Sequence, residues 1–113
     1  AALKKSFMPH IKFRTYNLAV EFYKRSKTLQ LPSYLKDQLN RASSSIALNL
    51  AEVSVKLSKL DQRKFFNIAF GSLRECQAIL DLNSRPNTEE LVQLADNLAA
   101  HLYRLIQATS KAA

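Results

Sequence analysis

Gly71 is the only glycine in this 113-residue chain, and it limits the fold more than any other feature. Tight turns between strands draw on glycine for backbone angles that other residues avoid. A chain with one glycine and three prolines has little with which to build them. Helices need no glycine, and the apolar residues recur at helical spacing in four successive segments. An all-α chain follows.

The first helix is predicted over about 11–29, on Ile11, Thr15, Leu18, Phe22 and Leu29, with Ala19, Tyr23 and Ser26 widening the stripe. Pro9 suits the position before it, and residues 1–10, with Lys4 and Lys5, read as a loose basic arm. Pro32 closes the first connection and Ser33 suits the N-cap of a second helix. There Leu35, Leu39, Ala42, Ile46, Leu50, Val53 and Leu57 step by three or four residues. Ser58 and Asp61 resemble a capping box opening a third helix, whose stripe is Phe66, Ala69, Leu73, Cys76 and Leu80. The polar run Asn83–Thr88 is a loop, and Asn87 with Glu90 offers a second capping box. Leu91, Leu94, Ala95, Leu98, Leu102, Leu105 and Ile106 complete a fourth stripe. Long helices joined by short loops pack as an antiparallel up-down-up-down four-helix bundle, a single domain over residues 1–113.

Two helices are apolar beyond their core stripes. Leu48, Ala51 and Val55 on the second point nearly opposite the core, and Phe65, Ile68 and Ile79 on the third fall to one side of the core line. Self-association along these positions would bury them; broad core stripes that absorb them are the alternative. Beside them runs a polar stripe, Arg41, Ser45, Asn49 and Glu52, with Ser43 and Ser44 adjoining. It reads either as a satisfied polar layer or as a recognition face. Gly71, costly in mid-helix, suits a place where another helix approaches closely, and Glu75, one turn on, is placed to reach Arg41.

The net charge is +8, and it is lopsided: residues 1–64 hold 13 Lys and Arg against 4 Asp and Glu, residues 65–113 hold 4 against 5. Such a field attracts polyanions, nucleic acid first and an anionic membrane surface second, although basic residues also serve solubility. The expected phosphate-contacting surface is Lys12, Arg14, Lys24, Arg25 and Lys27 with Lys56, Lys59, Arg63 and Lys64.

Catalytic patterns are missing. One cysteine and two histidines, His10 and His101, do not make a ligand-spaced metal set. Cys76 sits on a core stripe, no glycine-rich phosphate loop is possible, and the serine clusters lack a nearby histidine. No enzyme activity and no cofactor are expected. One cysteine fits a reducing compartment. No apolar run reaches the ~20 residues of a membrane span, nor does the N-terminus read as a secretory signal, so a cytoplasmic protein with no membrane partner is expected.

The run Gln38-Leu39-Asn40-Arg41-Ala42-Ser43-Ser44-Ser45-Ile46-Ala47-Leu48-Asn49-Leu50-Ala51-Glu52 resembles the signature of bacterial four-helix-bundle proteins encoded in intervening sequences of large-subunit (23S) ribosomal RNA genes. Phe66-Asn67-Ile68-Ala69-Phe70-Gly71-Ser72-Leu73-Arg74-Glu75 resembles that family's second block, and Phe22-Tyr23 to Pro32 is similar too. The chain departs in carrying Val53 where the family usually has glycine, and in its short connection over 83–88. The resemblance implies a homo-oligomeric ring, commonly pentameric, and no enzymatic activity. It also extends to accessory proteins of diversity-generating retroelements, which bind nucleic acid and a reverse transcriptase through a basic surface. The expected function is therefore nucleic-acid binding, to RNA or DNA, by a non-enzymatic oligomeric bundle. The alternative is an adaptor or scaffold that binds a protein partner on its apolar seam.

Overall fold

A computed structural model describes residues 10–56, 58–83 and 88–110, with side chains from Lys12 onward. It contains four helices, α1 (His10–Ser26), α2 (Ser33–Val53), α3 (Lys59–Leu82) and α4 (Glu89–Ser110). Each packs on the next and α4 closes on α1, so the helices stand at the corners of a square. Successive helices run antiparallel, as their short connections require. The bundle measures 43 × 28 × 21 Å.

The stripes read from the sequence form the core. Phe22, Leu39, Ile46, Phe66, Leu73, Leu98 and Leu102 have no solvent exposure to speak of. Thr15 and Ser26 occupy core positions of α1, as the spacing predicts, and both are wholly buried. Ile79 belongs with them. Assigned by its spacing to an external seam, it is 2 % exposed and packs inside the chain's own core. The broad-stripe alternative holds at that position, because α3 packs against two neighbours, α2 and α4.

The helix ends show why the elements stop where they do. Helix α1 ends at Ser26, three residues short of the predicted limit. Lys36, from the first turn of α2, donates to the carbonyls of Lys27 and Leu29, each at 2.6 Å, and to that of Ser26 at 3.4 Å. A cation thus sits where a helix exposes unpaired carbonyls and the negative end of its dipole. Pro32 takes the N-cap of α2 instead of Ser33, and no side chain caps it. The Pro32 carbonyl accepts from the amides of Leu35 and Lys36 at 3.1 and 2.9 Å. At the other end the Ser54, Val55 and Lys56 amides bond three residues back, tightening the chain out of α2 after Val53. Ser58 caps α3, its Oγ accepting from the Asp61 amide at 3.1 Å. Leu57, Asn87 and the arm with Lys4, Lys5 and Pro9 lie outside the described residues.

The serines and Asn49 in the polar stretch of α2 find hydrogen-bond partners. Ser43 Oγ donates to the Leu39 carbonyl at 2.7 Å and Ser44 Oγ to that of Arg41 at 3.0 Å. These back-bonds explain how serine is tolerated in mid-helix. Ser45 links α2 to α3 by accepting from Ser72 Oγ at 2.9 Å, and Asn49 Nδ2 donates to the Ser45 carbonyl and hydroxyl at 2.8 and 3.1 Å. So Ser45 and Asn49 form a half-buried polar layer. Arg41 and Glu52 stand at the surface, Glu52 paired with Lys56 at 3.3 Å. The expected Arg41–Glu75 pair does not form: both are exposed, and neither is in an ion pair among the described residues. Gly71 is also exposed, and a Cβ placed on it would meet nothing within 4 Å. Among the described residues, no other helix comes into contact with it.

Candidate nucleic-acid interface

Antiparallel packing gathers four helix termini at one end of the bundle: the starts of α1 and α3 and the finishes of α2 and α4. Lys12 Nζ on α1 donates to Gln62 Oε1 on α3 at 3.0 Å, and Gln62 Nε2 donates to the Lys56 carbonyl beyond α2 at 3.0 Å. Lys12, Lys56, Lys59, Arg63 and Lys64 therefore share this end, with Arg14 about half a turn further in than Lys12. The dipoles of two starting and two finishing helices oppose each other, so the positive field here comes from side chains.

Two details mark the crowding of charge. Lys12 loses proton affinity relative to an ordinary lysine, first through burial and then through the nearby Lys59 ammonium. Phe65, half-buried against the core, has the Lys56 ammonium 5.0 Å and the Lys64 ammonium 5.7 Å from its ring centroid. An aromatic ring flanked by cations combines the two surfaces that single-stranded nucleic acid uses, charge for the phosphates and a face for bases.

The expected basic surface does not hold together as one patch. Lys24, Arg25 and Lys27 lie at the finish of α1, and thirteen residues at ~1.5 Å each put Arg25 about 20 Å along the axis from Lys12. There Arg25 pairs with Glu21 at 3.0 Å and with Glu90 of α4 at 3.7 Å. Glu89 joins Glu90 in the first turn of α4. At this second end Glu21, Glu89 and Glu90 stand among Lys24, Arg25 and Lys27, although of these cations only Arg25 is in an ion pair among the described residues. At the first end Lys56 pairs with Glu52, and Lys59, Arg63 and Lys64 have no ion pair among the described residues.

Arg104 escapes the sequence pattern because it lies in the half of the chain that has no excess of positive charge. The fold brings it beside Arg14 in the groove between α1 and α4. The available signal is spacing: Asn97, His101 and Arg104 on α4 repeat the i, i+4, i+7 steps of Arg14, Leu18 and Glu21 on α1, with Asn17 at i+3 on the same face. The seam residues remain accessible apart from Ile79. Leu48, Val55 and Ile68 are 67 %, 69 % and 42 % exposed, while Ala51 and Phe65 are half-buried. Val55 lies in the turn just after α2 and not on the helix. Among the described residues no three His, Cys, Asp or Glu side chains gather closely enough to hold a metal ion, and no helix is long and apolar enough to cross a membrane.

Residues 10–108 match the family model described as 23S rRNA-intervening sequence protein. The chain belongs to this family. The match covers all four helices of the bundle but for the last two residues of α4. A crystal structure of a protein with unknown function from the S23 ribosomal protein family of Bacteroides thetaiotaomicron is similar, with a TM-score of 0.68 at 22% identity, covering 86% of this chain and 95% of that one. At that identity the likeness establishes the shared fold. No curated protein matches the chain. The chain thus shares its all-α four-helix architecture with that structure.

Proposed function

We propose that this family member is a non-enzymatic, self-associating bundle whose basic end binds the phosphate backbone of RNA or DNA in the cytoplasm. The observation that carries this reading is the gathering of five cations, Lys59, Arg63 and Lys64 with Lys12 and Lys56, at one end of the bundle beside two carboxylates, Glu52 and Asp61. Phosphate contacts need charge in roughly the right place and read no sequence, so base specificity is not expected. The ring of Phe65 close to two ammonium groups favours single strands over duplex.

Self-association rests on the α2/α3 face. Exposed Leu48 and Ile68 flank the Ser45–Ser72 link there, and the open Gly71 gives a second copy room to approach. A ring of such contacts would repeat the basic end around an axis and multiply weak phosphate contacts. The same face supports the second reading, an adaptor that receives a different protein.

The test is fluorescence anisotropy with single-stranded RNA, single-stranded DNA and duplex, at about 50 and 200 mM salt, with mass measured by light scattering. For about four phosphate contacts, affinity falls roughly 10²-fold over that range. A defined oligomer with this salt dependence supports the proposal. No binding at the lower salt overturns the nucleic-acid function and leaves the adaptor.

A further inference from the structure

The groove between α1 and α4 lies on the side of the bundle opposite the α2/α3 face, so self-association there leaves it open. It contains a cleft of about 400 Å³, within the range of roughly 300–1,000 Å³ typical of small-ligand sites. Arg14, Asn17 and Glu21 line it from α1, and Asn97, His101 and Arg104 from α4. Neither Arg14 nor Arg104 has an ion-pair or hydrogen-bond partner among the described residues. Glu21, the one carboxylate in the lining, is engaged by Arg25 at 3.0 Å. His101 is anchored from behind: its Nδ1 lies 3.3 Å from Oγ1 of Thr15, which is wholly buried. That leaves Nε2 as the ring nitrogen available to the cleft.

We propose that this cleft binds a phosphate group, with Arg14 and Arg104 as its fixed cations, Asn17 and Asn97 as neutral donors and His101 as a donor that gains charge on binding. Guanidinium groups suit a tetrahedral oxyanion because they offer paired donors and never lose their charge. The site rests on the nucleic-acid reading only for the source of the phosphate. A strand leaving the basic end can follow the α1/α4 groove, and a free phosphorylated molecule carries the same group.

The coupling to protons has a definite sign. In the anion-free protein His101 is held below the ordinary histidine value, first by its burial, then by Arg104 and Arg14. The charged groups facing it are Arg14 and Glu21 from α1 and Arg104 from α4; α2 and α3 contribute no residue to the lining. A bound anion offsets both guanidiniums and raises the imidazole's proton affinity. Binding therefore takes up a proton, and affinity increases as pH falls through the His101 titration.

The experiment follows the His101 ring by NMR between about pH 5 and 8, a window that spans the ordinary histidine pKa. It uses a His10→Gln variant so that one imidazole remains. The probes are sulfate, a dianion throughout, and a short oligothymidylate, whose phosphodiesters keep one charge throughout. Sulfate is expected to raise the His101 pKa by about half a unit or more, equivalent to roughly threefold tighter binding at the acid end. Arg14→Gln with Arg104→Gln should raise the anion-free pKa and abolish the response, a pair of effects that a merely structural role does not produce. A response to the oligonucleotide as well assigns the phosphate to a strand. A response to sulfate with no strand binding at any salt upholds the cleft for a free phosphate and overturns the nucleic-acid function. An unmoved His101 with both probes, while strands bind with salt dependence, overturns the cleft and leaves the basic end intact.

Discussion

Ser26 shows how a single side chain can follow the helical pattern and still be a poor choice. It is wholly buried, and its hydroxyl has no hydrogen-bond partner among the described residues. A buried hydroxyl without a partner costs about 1–3 kcal/mol in desolvation. Ser26→Ala is accordingly expected to leave stability unchanged or raise it by about 1 kcal/mol, measured as an upward shift in the urea midpoint with the slope preserved. A loss of stability would mean that the hydroxyl has a role in the assembled protein. Cys76 is the opposite case, a residue well matched to its place. Its thiol is wholly buried, and that burial, followed by the Glu75 charge, pushes its pKa up to about 12. With so little thiolate, Cys76 should resist iodoacetamide at mildly alkaline pH and react only when urea opens the chain. Rapid modification of the folded protein would contradict the core placement.

Among the elements, the helices and their core stripes were legible because period and burial are two expressions of one geometry. Phe22, Leu39, Ile46, Phe66, Leu73 and Leu98 are buried where their spacing puts them. The ends were harder, because they depend on contacts between elements. Nothing in the local sequence tells Lys36 that three carbonyls at the finish of α1 are within its reach. Ser58 was legible because its capping partner is only three residues away. Two substitutions separate these cases. Ser58→Ala should cost about 1 kcal/mol through the lost cap of α3, with Ser58→Gly costing only a few tenths. Lys36→Met keeps most of the side chain's bulk and removes the ammonium, and is expected to cost about 1 kcal/mol, or a fall of roughly 4 °C in melting temperature. If Lys36→Met melts with the parent protein, water satisfies those carbonyls equally well.

For the whole molecule, sequence gave the sum of charge but not its address. The nine basic residues expected to act together divide because α1 spans the bundle, carrying Lys12 and Arg14 at one end and Lys24, Arg25 and Lys27 at the other. Glu90 meets Arg25 from a distant part of the chain, a compensation no local pattern shows. The reverse holds for Arg104, which the fold adds to Arg14. Ile79 was misplaced for a related reason: a helix with two neighbours buries a wider arc than one stripe. The remaining seam makes its own prediction. Leu48→Glu with Ile68→Glu places like charges on the proposed self-association face and should reduce the mass to that of one chain, with helicity by circular dichroism unchanged. An undiminished assembly would move the seam elsewhere.

The central claim is that phosphate binding belongs to the end where α2 gives way to α3. The most direct measurement compares two charge reversals, Arg63→Glu with Lys64→Glu at that end and Lys24→Glu with Lys27→Glu at the other. Affinity for a single-stranded RNA is followed against salt for each. The first pair is predicted to weaken binding at least tenfold at low salt and to flatten the salt slope by about two, while the second leaves the slope unchanged. Equal losses from both pairs would contradict the account, because binding would then follow net charge and not the geometry of the bundle.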